Sequence, residues 1–498
     1  MTLPTLAQRA GLQSPARRAA CQALLGRIRE LGLRQVRVAW GDLHGGFRGK
    51  TLVCGPDLTA VADALDNGVG MVSTVLLKDT SDRTAFPVFD PGALDGLPGF
   101  RSANNLLLLP DPASFQVLPW APHTGWLRAE TFWEDGSPVL LDPRRVLQSA
   151  LAQLSEAGYG LRCGLEVEFH IYRLADSTLP ANEDAWPAQA PPVTALHPGH
   201  GLLSEEWADR ADEALGIVRE TALGLGLPLR SLEIEIGPSQ VEAVFGSTDA
   251  LTAADQMLLL RNGVRQALRR AGYHATFMCK PPMAGAVASG WHLHQSLVSL
   301  GDSPGRNAMA LPQDAPLGVG AAQVLSIAGR HWLAGLLAHA PGMAALCAPT
   351  AVAYSRYQGS LMAPRAAIWG RDNRGALLRV VGQPGDAATR IENRLGEPLA
   401  NPYLCIAAQV LAGLDGLQQQ REPGPAAQAN PYTTDQGTLL PDNLAAALEA
   451  LTADPVLCAG LGPPMVRAFT TIKRQELTRR AAAADAQEWD RRDLFARY

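Results

Sequence analysis

The 498-residue chain predicts an α+β protein of at least two domains. Its length exceeds what one ordinary core fills. Short segments alternate apolar and polar residues with the period of a β-strand, and stretches of helical spacing run between them. A hydrophobic fraction of 47% and a charged fraction of 18% are those of a globular protein. Lys and Arg number 43 against 48 Asp and Glu, a net charge of −5, so the strongly basic surface needed for nucleic acid or an anionic membrane is not expected. The basic residues gathered between Arg356 and Arg394 read as a local phosphate site.

Seven cysteines, at 21, 54, 163, 279, 347, 405 and 458, have no metal-ligand spacing and cannot all pair, which fits a reducing cytoplasm. Arg9, Arg17, Arg18, Arg27, Arg29 and Glu30 interrupt the N-terminal region, which therefore does not read as a secretory signal. The apolar stretch from Ala321 to Ala348 is broken by Arg330, His331 and His339 and reads as buried helix, not a membrane span.

In chain order, residues 15–32 have helical spacing through Ala20, Leu24, Leu25, Ile28 and Leu31. Val36–Trp40 and Met71–Leu77 look like strands, separated by a short helix from Leu58 to Asn67 that Gly68 closes. Leu106–Leu109 reads as a buried strand within a Pro- and Gly-rich region from Phe86 to Pro143. A domain boundary falls near Asp142-Pro143, dividing 1–142 from 143–498, where a helix over 144–156 opens with Pro in its first turn. Asp176–Gly201 looks like a long surface loop. Helices follow over 205–223 and 250–271, the chain after Asn401 is mostly helical, and Gln418–Gln428 reads as a linker.

Four segments carry the chemistry. Along Gly164-Leu-Glu-Val-Glu-Phe-His-Ile-Tyr172, Glu166, Glu168, His170 and Tyr172 point to one face and the apolar residues to the other. Glu233 and Glu235 share a face in Leu232–Ile236, with Gln240 and Glu242 following a Gly-Pro turn. His292, His294 and Ser296 share a face in Trp291–Ser296, as do Arg390, Glu392 and Arg394 in Arg390–Arg394. A single strand of this kind is ordinarily one wetted face of an antiparallel sheet. All four together carry Glu, His and Arg and no Lys. If they converge on one cleft, so many carboxylates would repel one another unless cations neutralised them. Oxygen ligands with an occasional imidazole suit Mg²⁺ or Mn²⁺. Guanidinium groups match phosphate geometry, and carboxylates, divalent ions and arginines together suit phosphoryl transfer. No Walker, kinase-type or Rossmann glycine motif is present.

At these residues the chain resembles the glutamine synthetase family. The resemblance runs in order through Gly164–Phe169, Glu235–Glu242, Ala275–Pro281 continuing to Ser289–Leu297, Trp369–Arg374, and Thr389–Arg394 running on to Asn401-Pro-Tyr-Leu404. Gly41–Lys50 and Ala412–Gly416 agree as well. It implies a small N-terminal β-grasp domain, a larger catalytic domain whose curved antiparallel sheet is surrounded by helices, and a ring-shaped homo-oligomer with active sites between neighbouring subunits. By matched position, Glu168, Glu235 and Glu242 would hold one metal ion, and Glu166, His292 and Glu392 a second. His294, Ser296, Arg379 and Arg390 fall on the ATP side, Arg356 and Arg394 hold substrate carboxylates, and Arg374 faces the transferring phosphoryl group. The implied reaction activates a γ-carboxylate as an acyl phosphate with ATP, which an amine nitrogen then converts to an amide.

Departures from the family pattern shape the expected substrates. Met362 stands where glutamine synthetase proper has a glutamate lining its ammonium pocket, which favours an organic amine with a carbon chain over ammonia. Val287-Ala288 replaces an Asn-Gly pair that contacts glutamate, so the acid is glutamate or a similar compound. The family's ATP-side lysine before Arg390 is absent, and Asp79 is the candidate for deprotonating the nucleophile. Ordinary glutamine synthetase activity, a carboxylate kinase and a non-catalytic structural member are the alternative readings. His170, Glu233 and His274 read as packing or surface residues.

Overall fold

The computed structural model describes residues 3–176, 178, 186–301, 303–313, 324–358, 362–427, 430–433 and 437–498. Parts of the expected 176–201 loop, the start of the 321–348 apolar stretch and the end of the 418–428 linker lie outside these residues. Two sheets organise the chain. The first uses β1 (Gln35–Gly41), β2 (Phe47–Val53), β3 (Val69–Val72), β4 (Asn105–Pro110), β5 (Gln116–Leu118) and β6 (Ala121–Phe132). Its order is β2-β1-β6-β4-β3, with β5 beside β6 and β1 parallel to β6. Helices α1 (Leu6–Arg9), α2 (Pro15–Glu30) and α3 (Thr59–Asn67) accompany it. The expected Met71–Leu77 strand is corrected: pairing ends at Val72, and Ser73–Leu77 turns as a 3₁₀ helix that buries Leu76 and Leu77.

The second sheet is built around β7 (Tyr159–Leu174) and holds β8 (Val193–Ala195), β9 (Leu229–Ile234), β10 (Gln240–Phe245), β11 (Thr248–Asp249), β12 (Tyr273–Thr276), β13 (Trp291–Ser299), β14 (Trp369–Arg371), β15 (Leu378–Val381) and β16 (Arg390–Gly396). Its main order is β14-β15-β16-β13-β7-β10-β9, antiparallel except for β14 with β15. Leu165, Val167, Phe169 and Ile171 are fully or almost fully buried on one face of β7, whereas Glu166 and Glu168 keep a small exposed fraction on the other, as alternation requires.

Helices α4 (Pro143–Glu156), α5 (Glu205–Gly224), α6 (Ala250–Arg270), α7 (Ile327–Ala338), α8 (Ala340–Cys347), α9 (Pro402–Gln418), α10 (Leu444–Ala453), α11 (Pro455–Leu461) and α12 (Pro463–Ala482) supply the other layers. From Ile327 on, the expected 321–348 stretch folds as α7 and α8, broken at His339. Every residue of α9 from Pro402 to Gly416 is buried, the mark of a helix surrounded by protein, and it packs on α4, α6, α7, α8 and α11. Where α9 crosses α7 the backbones touch: a Cβ on Gly335 would lie 2.1 Å from the Ala412 carbonyl oxygen.

Two family-like segments far apart in sequence meet here. Asn401 caps α9 by accepting from Tyr403 N at 3.0 Å, and its Nδ2 donates to Asp42 O at 2.9 Å. Buried Arg261 of α6 donates to Gly45 O at 3.0 Å and to Pro398 O at 2.8 Å. A second tie joins the 79–83 turn to α12. Thr80 N donates to Glu476 Oε1 at 3.1 Å, while Thr80 and Ser81 donate to Asp493. No single helix among the described residues is long and apolar enough to cross a membrane.

Candidate active site

Strand register aligns the four polar faces. Across β13, β7 and β10, His292 lies opposite Glu166, and Glu242 opposite Glu168. Across β13, β16 and β15, His294 lies opposite Glu392, which lies opposite Arg379. His292 Nδ1 is 3.0 Å from Glu166 Oε1 and 3.9 Å from Glu392 Oε1, and its Nε2 is 3.9 Å from Glu168 Oε1. Two groups of ligand-capable atoms result, each within 4.8 Å: Glu166, His292 and Glu392, and Glu168, Glu242 and His292. The first matches one expected metal set. The second joins His292 to Glu168 and Glu242; Glu235, also expected there, falls outside that 4.8 Å group but lies close enough to raise Glu168. Glu235 sits just past β9, where Oε2 accepts from its own neighbour Ile236 N at 3.2 Å.

The charges explain the geometry. Burial, then the neighbouring Glu235 carboxylate, pushes Glu168 up to about 7. Burial and then Glu166, Glu168 and Glu235 push Glu242 up to about 10. Burial and then Arg394 lower His292 to about 4, so its imidazole is neutral. Burial opposes ionisation of Glu166, but hydrogen bonds from His292 and His294 outweigh it and hold this carboxyl well below its usual range. His292 thus acts on Glu166 as a neutral donor. The cluster is a set of oxygen ligands with one shared imidazole, too crowded with carboxylates to ionise fully unaided; that donor set fits a hard divalent cation.

The arginines divide. Arg394 donates to Glu392 and, at 3.3 Å, to Met362 O, and its buried Nε–H has no acceptor among the described residues. Arg356 is buried and donates to His292 Nε2 at 3.3 Å and Gly396 O at 3.1 Å. Arg379 bridges Glu392 at 3.0 Å and Asp372 at 2.9 Å, and Arg390 Nε donates to His294 Nδ1 at 3.1 Å. Ser296 Oγ is spent on Thr389 O at 3.1 Å. Arg374 stands apart, exposed in the turn between β14 and β15. Met362, at φ +67°, is half exposed beside Arg394. Asp79 is fully buried and holds its own turn, accepting from Ser81 N at 3.0 Å, Arg83 N at 2.8 Å, Gln475 at 3.1 Å and Arg479 at 2.6 Å. Hydrogen bonds and Arg479 outweigh burial and lower its pKa, so the carboxylate expected as a base is committed to structure.

Gln240 and Gly290 carry more than the sequence signalled. Gln240 is buried, accepts from Gly237 N at 3.0 Å, and donates to Glu168 Oε2 at 3.1 Å and to Ser289 Oγ at 3.0 Å. Gly290 N donates to Glu168 Oε2 at 2.9 Å. A Cβ on Gly290 would lie 2.7 Å from Arg356 Nη2, so only glycine lets that guanidinium reach His292. His170, His274 and Glu233 are packed or locally bonded, as expected: His170 faces Ser289 Oγ at 3.4 Å, His274 Nε2 lies 2.9 Å from Phe495 O, and Glu233 accepts from Ser231.

A sheet that gathers carboxylates, a shared imidazole and guanidinium groups on one face has the apparatus of a metal-assisted phosphoryl-transfer enzyme. The chain belongs to the glutamine synthetase family: the model of the glutamine synthetase catalytic domain matches residues 140–492. It is 36% identical to the γ-glutamylanilide synthase of an Acinetobacter species, over 97% of each chain. It is 32% identical to the γ-glutamylethanolamide synthetase of Streptomyces coelicolor, over 93% of this chain and 92% of that one. A solved GmaS/ADP complex superposes with a TM-score of 0.73 and 29% identity, covering 94% of this chain and 98% of that one. The protein is therefore an ATP-dependent ligase of a family that uses ATP and divalent metal.

Proposed function

We propose that the protein joins the γ-carboxylate of glutamate, or of a similar acid, to an organic amine through an acyl phosphate. The observation that carries this reading is the pair of carboxylate–imidazole groups sharing His292, edged by Arg356, Arg379 and Arg394. Glu166, His292 and Glu392 would hold one Mg²⁺ or Mn²⁺ ion, and Glu168 and Glu242 a second, with Glu235 close enough to raise Glu168. Such ions supply charge neutralisation where two anions must approach. The Nε–H of Arg394, without an acceptor among the described residues, and the buried guanidinium of Arg356 suit a substrate carboxylate. Arg379 and Arg390 would orient the polyphosphate and Arg374 the transferring phosphoryl group, with His294 and Ser296 on the nucleotide side. The γ-carboxylate oxygen attacks the terminal phosphorus as the bond to ADP breaks. The amine nitrogen then attacks the acyl carbon, phosphate leaves and the amine gives up a proton.

An amine is favoured over ammonia because half-exposed Met362, whose carbonyl Arg394 holds, offers apolar surface and no charge for ammonium, and because relatives named for anilide and ethanolamide products cover nearly the whole chain. Residues 1–142 we assign to a β-grasp-like domain whose sheet is confined to residues 35–132, ahead of a catalytic domain over 143–498. A ring-shaped homo-oligomer with active sites between subunits follows from the family pattern. Seven unpaired thiols support a cytoplasmic setting.

The test follows phosphate release and γ-glutamyl amide mass with ATP, Mg²⁺ and glutamate against ammonia, aniline, ethanolamine, putrescine and alkylamines. Turnover with ammonia alone overturns the amine reading. No release with any pair overturns the proposed pairing of acid and amine. Met362→Glu is expected to raise kcat/KM for ammonia relative to the best amine by about tenfold, the worth of one charge contact; an unchanged ratio removes Met362 from acceptor choice.

A further inference from the structure

Between the first sheet and α6 lies a cavity of about 160 Å³ that touches no member of the carboxylate cluster. Phe47, Trp120, Trp126 and Leu259 wall it, the rings of Phe47 and Trp126 lying 5.1 Å apart between centroids. Arg37, Arg48 and Lys50 line it as well, and no carboxylate does among the described residues. Arg48 is neutralised by Asp42 and Asp82, each at 2.8 Å. Arg37 and Lys50 join no ion pair among the described residues. Arg37 spends Nη1 on Gln266 Oε1 at 2.9 Å, and Arg270 adds positive charge beside it. The indole N–H of Trp120 is buried without an acceptor among the described residues, an arrangement that costs free energy until something accepts from it.

We infer that this cavity binds a small anion carried on one aromatic ring, the chemical class of benzoate. A cavity of about 150 Å³ admits one benzene ring, so a single ring matches the volume. Aromatic walls with a few placed donors are the usual form of a small-molecule site. The unpaired cations select an anion, which a neutral ring would leave unanswered. Phe47 N donates to Asn262 Oδ1 at 3.1 Å, and Asn262 also holds Gly45 O at 3.2 Å. An occupant would therefore brace the junction of the first sheet with α6 and raise thermal stability.

Full-length protein is titrated with sodium benzoate, benzyl alcohol and acetate by calorimetry and by tryptophan fluorescence. Saturable benzoate binding is expected, with benzyl alcohol about tenfold weaker or worse and acetate not saturating. Arg37→Gln should weaken benzoate about tenfold and leave benzyl alcohol unchanged. Leu259→Trp, which fills the space, should abolish both. Wild-type phosphate release by Arg37→Gln verifies its fold. Benzoate heat that does not saturate at millimolar concentration, that Arg37→Gln leaves unchanged, or that ADP displaces would overturn the proposal.

Discussion

Replacing Glu168 with glutamine should stabilise the metal-free protein while removing most of its stabilisation by metal. The carboxylate is almost wholly enclosed, 13% of its side chain being exposed, and its rise from an ordinary 4.5 to about 7 corresponds to about 3 kcal/mol. Because the folded value is raised, this penalty is absent below about pH 4.5, grows with pH and is complete above about 7. Glutamine keeps an acceptor for Gly290 N and Gln240 Nε2, so little hydrogen bonding is lost. Residual solvent contact lowers the gain to about 1–3 kcal/mol at pH 8. Mg²⁺ at a hundred times its dissociation constant stabilises wild type by about 2.7 kcal/mol, an increment the variant should largely lose. Urea denaturation at pH 5 and pH 8, with EDTA or with Mg²⁺, reads all four quantities. A variant less stable than wild type in EDTA at pH 8, or one gaining the same increment from Mg²⁺, refutes the reasoning.

Gln409→Leu should cost about 2–5 kcal/mol, because Gln409 Oε1 accepts from Gln295 Nε2 at 2.6 Å and Asn393 Nδ2 at 2.9 Å, and two buried donors would be orphaned; an unchanged urea midpoint contradicts it. Gly335→Val should destabilise by at least about 1–3 kcal/mol, since the new Cβ meets backbone on α9 that cannot swing aside, and calorimetry checks this. His339 is disfavoured as a cation by burial, but Asp454 at 2.7 Å and Asp415 at 3.0 Å outweigh that and raise its pKa. Its contribution is therefore full below about pH 6.5 and disappears as pH rises through the raised value. The stability gap to His339→Gln should accordingly shrink between pH 6 and pH 9, and a widening gap would exclude the ion pairs.

The polar faces were legible because strand alternation is a local rule: Glu166 and Glu168, or His292 and His294, fall together once the strand is recognised. Register is not local. Nothing in sequence spacing sets Glu242 opposite Glu168, or brings His292 into both ligand groups. Gln240 stayed in the background for that reason; its partners Glu168 and Ser289 are 72 and 49 residues away. The helix at Pro143 was visible through its cap, with Asp142 accepting from Arg144 N at 3.0 Å. The twelve-residue β6 was hidden because Pro122 and Gly125 interrupt its pattern, and a β-bulge near Val117 and Leu118 absorbs the irregularity.

The tie between the 79–83 turn and α12 has a consequence for biosynthesis. Asp79 leaves the ribosome long before Gln475, its partner 396 positions later. At roughly 5–20 residues per second, the turn waits on the order of 20–80 s for that partner to be made. During that interval a carboxylate destined for burial must stay hydrated, so the early sheet emerges with one corner unfinished. Slowing translation between these segments would lengthen the exposure of that corner to proteases and chaperones.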